Sequence, residues 1–296
     1  MAKTAISTTL PRRVLGHRLR DMREHRGLTR AQAASLVGMG AQTLWRLESG
    51  RIRDVKRMAV DALCNLYEAQ ESNREELRWL VRESKKDGWW QSYTDALVPQ
   101  VELYVGLEQS ASRIVSWQST TLPGLVQTPG YRRAMWEMSQ EQGREVDRER
   151  EVELISRRQA RLCDTAGLAF EAYLGEAVVR HRVGGVRVMC EQLRLLAELA
   201  ALPTVSLRIV PFDAPNHLGL TTKDFVYLEF PRHLNPALSE PPVVYVEGYT
   251  GNLYVETPSE VEQYQTACAA LDRVALGEND TRNLIGSIVE EYRNEH

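Results

Sequence analysis

Gln42 and Arg46 stand four residues apart, and so do Ala41 and Trp45. On a helix, that spacing puts each pair one turn apart. The side chains are of the kinds that read base edges. Gln42 can make a bidentate pair with adenine, worth about 1–3 kcal/mol of base discrimination. Ala41 can offer only an apolar contact, as to a thymine methyl group. Trp45 has two readings: contact with sugar or thymine methyl groups, or packing against the loop that follows it. Arg30 precedes this group, and Arg51, Arg53, Lys56 and Arg57 follow it. These cations suit phosphate. Each such contact adds roughly one unit to the salt dependence of binding and carries no sequence information. The other reading of each is a solvated surface charge.

Such side chains need a short, rigid element to present them. In the stretch LTRAQAASLVGMGAQTLWRLESG, Leu28 to Gly50, Thr29 and Gln32 have the spacing of a capping box and should open a helix. Ala33, Ala34 and Val37 share one face, and Gly38 stops the helix. Gly40 then serves as the next N-cap, and Leu44 and Leu47 form the inward face of a second short helix. Neither helix can bury much alone, so they must cross closely, which the small Ala34 permits. Two short helices joined by a tight glycine turn make a helix-turn-helix, whose second helix enters the DNA major groove.

This stretch resembles the XRE, or lambda-repressor-like, DNA-binding family. The resemblance is carried by Leu28-Thr29, Ala34, Gly38, Thr43-Leu44 and Arg46 to Gly50, with Leu19-Arg20, Arg23 and Gly27 upstream. It implies that Glu48, which would repel phosphate if exposed, forms a structural pair with Arg23 and ties the first helix to the recognition helix. Arg46 could share that pair.

The charge distribution agrees with such a module. Residues 1–60 hold 13 Lys and Arg against 4 Asp and Glu, while the remainder holds 24 against 36. A basic segment on an acidic body is what phosphate binding at one end requires. At 296 residues the chain exceeds the usual size of a single core, so two domains are expected. No apolar run approaches a membrane span, and the N-terminus has no signal-peptide pattern, which predicts a cytoplasmic, nucleoid-associated protein. Cys64, Cys163, Cys190 and Cys268 are too scattered for a metal cluster and read as small core residues.

The expected organisation is a helix-turn-helix domain over 1–86, a packed linker over 87–100 and an α+β domain over 101–296. Residues 1–10 look disordered. Val14, Leu15, Leu19 and Met22 repeat at helical spacing after Pro11. A fourth helix, capped by Asp54, would bury Val55, Met58, Ala59, Ala62, Leu63 and Leu66; a fifth follows to Lys86 and completes a five-helix, lambda-repressor-like bundle. Trp89-Trp90 argue against a loose tether in the linker. The second domain alternates helices with strands near 113–119, 168–174, 205–210, 225–230, 243–246 and 252–256. Gly248 to Gly251 turns the last pair, and two helices close the chain. A mainly antiparallel sheet is expected.

The motifs LPGLVQTPGYRRA, VVRHRVGG, CEQLRLL, VPF and VVYVEGYTGNLYVE resemble the C-terminal domain of actinobacterial WhiJ-type, or antitoxin-like, regulators. That resemblance spans roughly residues 95–290 and implies a small, separately encoded protein partner. Nothing in this half carries a catalytic, metal or cofactor motif. GxSxG, the P-loop and HExxH are missing, Gly184-Gly185 reads as a turn, and His181, His217 and His233 have no companions at ligand spacing. Glu171, Glu176 and Glu247 could share a cleft, which sequence cannot decide. The expected function is therefore a non-enzymatic, sequence-specific regulator that binds double-stranded DNA as a homodimer. The alternatives are a small-molecule sensor, with Trp117, Tyr131, Tyr173 and Tyr245 lining a pocket, and an enzyme tethered to a DNA-binding module.

Overall fold

A computed structural model describes residues 9–86, 88–93, 99–139, 147–164, 167–249 and 251–295. Most of the expected disordered start (1–8), parts of the linker (87 and 94–98) and Thr250 of the hairpin turn lie outside the described residues. The chain divides into two compact units. One contains Met1–Ser92, Val101–Ser110 and Phe230–Glu240; the other contains Tyr93–Gln100, Ala111–Glu229 and Pro241–His296. Residues 101–110 and 230–240, assigned from sequence to the second domain, thus cluster with the first.

The first unit is a helical bundle of α1 (Thr9–His25), α2 (Arg30–Leu36), α3 (Ala41–Glu48), α4 (Arg57–Leu66) and α5 (Glu71–Glu83), to which the described turns of α6 (Pro99–Ser110) from residue 101 onward are added. Its core joins Leu15 and Leu19 of α1, Ala33 and Ala34 of α2, Leu44 and Leu47 of α3, Leu63 of α4, and Leu77 and Leu80 of α5. Each fully buried leucine contributes about 1.5–3 kcal/mol of transfer free energy. α4 departs from expectation. It begins after Lys56, while Asp54 forms an ion pair with Lys56 rather than capping the helix. Val60, Leu63 and Cys64 face inward, and Met58, in the first turn, is 85% exposed. Trp90 is buried, in a 3-10 turn over Trp89–Tyr93. Cys64, Cys190 and Cys268 are buried, but Cys163 is exposed and is not a core residue.

The second unit is built on β1 (Arg113–Gln118), β2 (Ala169–Gly175), β3 (Val205–Val210), β4 (Phe225–Glu229), β5 (Val243–Glu247) and β6 (Asn252–Val255). Their order is β3-β2-β1-β4-β5-β6. β1, β2 and β3 pair in parallel, so their connections must be crossovers. Helices α7 (Pro129–Ser139) and α8 (Arg148–Gln159) make the first; α9 (Glu176–Arg180) and α10 (Gly185–Leu199) make the second. The short helix α11 (Gly219–Thr222) precedes β4. The β1–β4, β4–β5 and β5–β6 pairs are antiparallel, which makes the sheet mixed and mostly antiparallel. On one face Val115, Trp117, Tyr173, Phe225, Tyr227 and Val244 pack with Val261, Ala267, Cys268 and Leu271 of α12 (Pro258–Val274). The outer edge of β3 is occupied where α12 gives way to α13 (Glu278–Asn294). There Leu276 N donates to Ile209 O (2.8 Å), and Ile209 N donates to Thr281 Oγ1 (3.1 Å).

Candidate nucleic-acid interface

The start of α2 is fixed by its own side chains. Gln32 N donates to Thr29 Oγ1 (3.2 Å) and Thr29 N donates to Gln32 Oε1 (2.9 Å), a closed capping box. At the other end Met39 N donates to Ala34 O (2.9 Å) across Gly38, whose φ of +70° suits a residue without a Cβ. That cap sets the turn into α3, which starts after Gly40.

On α3, Leu44, Leu47 and Glu48 are buried, while Ala41, Gln42 and Arg46 are exposed. Trp45 is half-buried beneath Arg51, whose guanidinium carbon lies 4.9 Å from the ring centroid. Trp45 therefore packs against the following loop, and the stacking holds Arg51 beside the end of α3.

The cations assigned to phosphate differ in what they already hold. Arg53 pairs with Glu102 of α6, Lys56 with Asp54, and Arg57 with Asp61 (3.4 Å). A phosphate must compete with those carboxylates. Arg51 and Arg46 have no carboxylate partner among the described residues. Arg30, 39% exposed at its side chain, donates through Nε to Glu48 Oε2 (3.0 Å).

Beneath this surface Arg23 donates through Nε to Glu48 Oε1 (2.6 Å) and through Nη2 to Oε2 (3.2 Å), and through Nη1 to Leu28 O (2.8 Å). Arg23 and Glu48 are 5% and 2% exposed. Arg30, not Arg46, shares the carboxylate. Sequence reasoning missed this second arm and also Glu102, which lies 49 residues from Arg53 with no local signal.

Tyr67 is buried near Glu48. Burial, then the Glu48 charge, pushes its phenol pKa up to about 12. The folded chain therefore keeps this proton at a pH where the unfolded chain, near 10, loses it. The contribution is complete below pH ~10 and disappears as pH rises from ~10 to ~12. Tyr67→Phe is expected to flatten alkaline destabilisation by on the order of 1–2 kcal/mol between pH 9 and 11. Urea unfolding at both pH values checks this, and equal slopes for the two proteins would refute it.

The aromatic residues of the second unit do not make one pocket. Trp117 and Tyr173 are register partners on the face under α12, where Trp117 Nε1 donates to Gly219 O (3.2 Å) and Tyr173 Oη to Asp272 (3.0 Å). Tyr245 follows Val244 on β5 and so lies on the opposite face. Tyr131, on α7, is fully buried, with its hydroxyl accepting from Leu122 N (3.3 Å). The carboxylates are also apart in their bonding. Glu171 pairs with Arg113 (2.7 Å), Glu176 with Arg180 (2.6 Å), and Glu247 is exposed. The LPGLVQTPG motif is a structural turn, clamped by Gln192, which donates to Val126 O and accepts from Thr128 N, both at 2.6 Å. Among the described residues no group of three or more His, Cys, Asp or Glu could hold a metal, and no helix is long and apolar enough to cross a membrane.

Comparison with known families divides the chain in a similar way. A family model described as a helix-turn-helix domain matches residues 14–77, from within α1 to within α5. A second, described as a domain of unknown function (DUF5753), matches residues 101–287, more than half of the chain. The chain belongs to the DUF5753 family. The DUF5753 match takes in all six strands, and the helix-turn-helix match supports DNA binding and a regulatory role. No curated protein and no solved structure matches the chain.

Proposed function

We propose that this DUF5753 protein is a sequence-specific transcription regulator that lays α3 in the major groove. The observation that carries this is the free outward side of α3: Ala41, Gln42 and Arg46 are exposed while Leu44, Leu47 and Glu48 anchor the helix from behind. In this reading Gln42 and Arg46 read base edges and Ala41 gives apolar contact, while Trp45, expected from sequence on this face, holds Arg51 in place. Arg30, Arg51, Arg53, Lys56 and Arg57 meet phosphates. One helix-turn-helix covers one half-site, so the protein acts as a homodimer, with the DUF5753 domain providing dimerisation and docking a small, separately encoded protein in the antitoxin-like manner. The small-molecule alternative loses support, because its four aromatic residues are packed in the core on different faces.

The test is selection of duplexes from a randomised 30-base-pair pool, followed by titration of the enriched and the random duplexes. Gln42→Ala is expected to lower the preference for the enriched duplex about 5- to 150-fold, the equivalent of ~1–3 kcal/mol. Arg51→Ala should weaken both duplexes alike and reduce the salt slope by about one. Arg51 is a cleaner probe than Arg30, whose removal also disturbs Glu48. Failure to enrich any sequence, or equal effects of both variants on random DNA, would end this reading.

A further inference from the structure

Between β4 and β5 the chain leaves the second unit and contributes Phe230–Glu240 to the first. Three anchors hold that segment. Leu238 packs against the apolar core of the bundle. Asn235 accepts from Ala237 N (3.1 Å) to cap a 3-10 turn over Pro236–Leu238, while its amide donates to Glu76 of α5 (2.9 Å). Glu240, with a side chain of 0% exposure, receives Arg13 Nε at 2.6 Å and stands 3.4 Å from His17 Nδ1, both on α1. Burying a carboxylate so completely is costly without such partners.

Arg13 also supports the far end of α3. A Cβ built on Gly50 would fall 2.8 Å from Arg13 Cγ and 2.9 Å from its Cα, so the two residues are in direct contact. One turn along α1, Gly16 lies against the carbonyls of Leu47 and Glu48. α1 is therefore the seat on which α3 rests, and Glu240 grips that seat.

We infer that residues 230–240 are a strap and that Glu240 is a positioning residue for DNA binding. By fixing Arg13 it fixes α3. Both ends of the strap run into paired strands, with Leu228 and Val243 as register partners, so a shift of β4 or β5 is passed through the strap to α3. Only the last step, the effect on DNA, rests on the proposed function; the placement of α3 does not.

Hydrogen exchange on the full chain tests this without DNA. Glu240→Gln, which keeps the shape but not the charge, and Leu238→Asp should each accelerate exchange of α1 and α3 amides at least tenfold. The amides of β1, β2 and β3 should stay within twofold of wild type. Affinity for the enriched duplex should fall about tenfold in both. Unchanged α3 exchange, or uniform acceleration across the chain, would overturn the strap. For transmission, Val243→Ala in β5 should accelerate α3 exchange, whereas Leu207→Ala, equally buried in β3, should not. Equal responses would overturn it. Because exchange needs no DNA, a chain that binds none leaves this part of the test intact.

Discussion

Glu48→Ala is expected to cost the first unit about 3–5 kcal/mol, enough to abolish DNA binding through loss of fold. The carboxylate bridges Arg23 and Arg30 while almost fully buried. Its removal leaves the Arg23 guanidinium inside the bundle with, among the described residues, only Leu28 O and the exposed Glu24 to satisfy it. An uncompensated buried charge of this kind is among the few single changes that can take most of a domain's stability. Glu48→Gln, which can still accept from Arg23, should cost less. Arg30→Ala should cost under ~1 kcal/mol, since that arm is partly solvated. Urea unfolding followed by tryptophan fluorescence ranks the three, and a loss below about 1 kcal/mol for Glu48→Ala would contradict the role given to the pair.

Gly16→Ala is expected to cost about 2–3 kcal/mol from a single methyl group. The new Cβ would lie 2.5 Å from the carbonyl oxygens of both Leu47 and Glu48. These are backbone atoms in the last turn of α3, so no side-chain rotation relieves the contact. α1 and α3 must separate, which loosens Leu15 and Leu19 against Leu44 and Leu47 and disturbs the Arg23–Glu48 pair. The comparison is Gly286→Ala in α13, where nothing lies within 4 Å of the added atom. That change should stabilise by about 0.5–1 kcal/mol through helix propensity. Thermal melting of the two variants gives opposite signs if close approach of α1 to α3 is the controlling feature.

The parts of this fold governed by short-range rules were readable from the residues. Thr29 with Gln32, Gly38, and Leu44 with Leu47 define α2, the turn and α3, because caps and helical periods act over three or four positions. The strands likewise follow from runs of apolar and β-branched residues. Contacts distant in sequence left no such mark. Nothing near Arg13 announces Glu240, 227 residues away, and nothing in Arg53 points to Glu102. The aromatic residues failed for a related reason. Trp117 and Tyr245 each alternate properly within their own strands, but which face each one takes depends on pairing register, which is a property of the assembled sheet. Met58 was misplaced because it falls in the first turn of α4, whose buried residues begin at Val60, while Leu63 further along was placed correctly.

The occupied border of β3 limits how copies of this protein can join. With Ile209 already bonded to Leu276 and Thr281, a strand arriving at that border must displace both contacts, whereas β6, the last strand of the order, has no further strand beside it among the described residues. A fibre of added strands, which needs both borders of every chain, would have to break those contacts at each step.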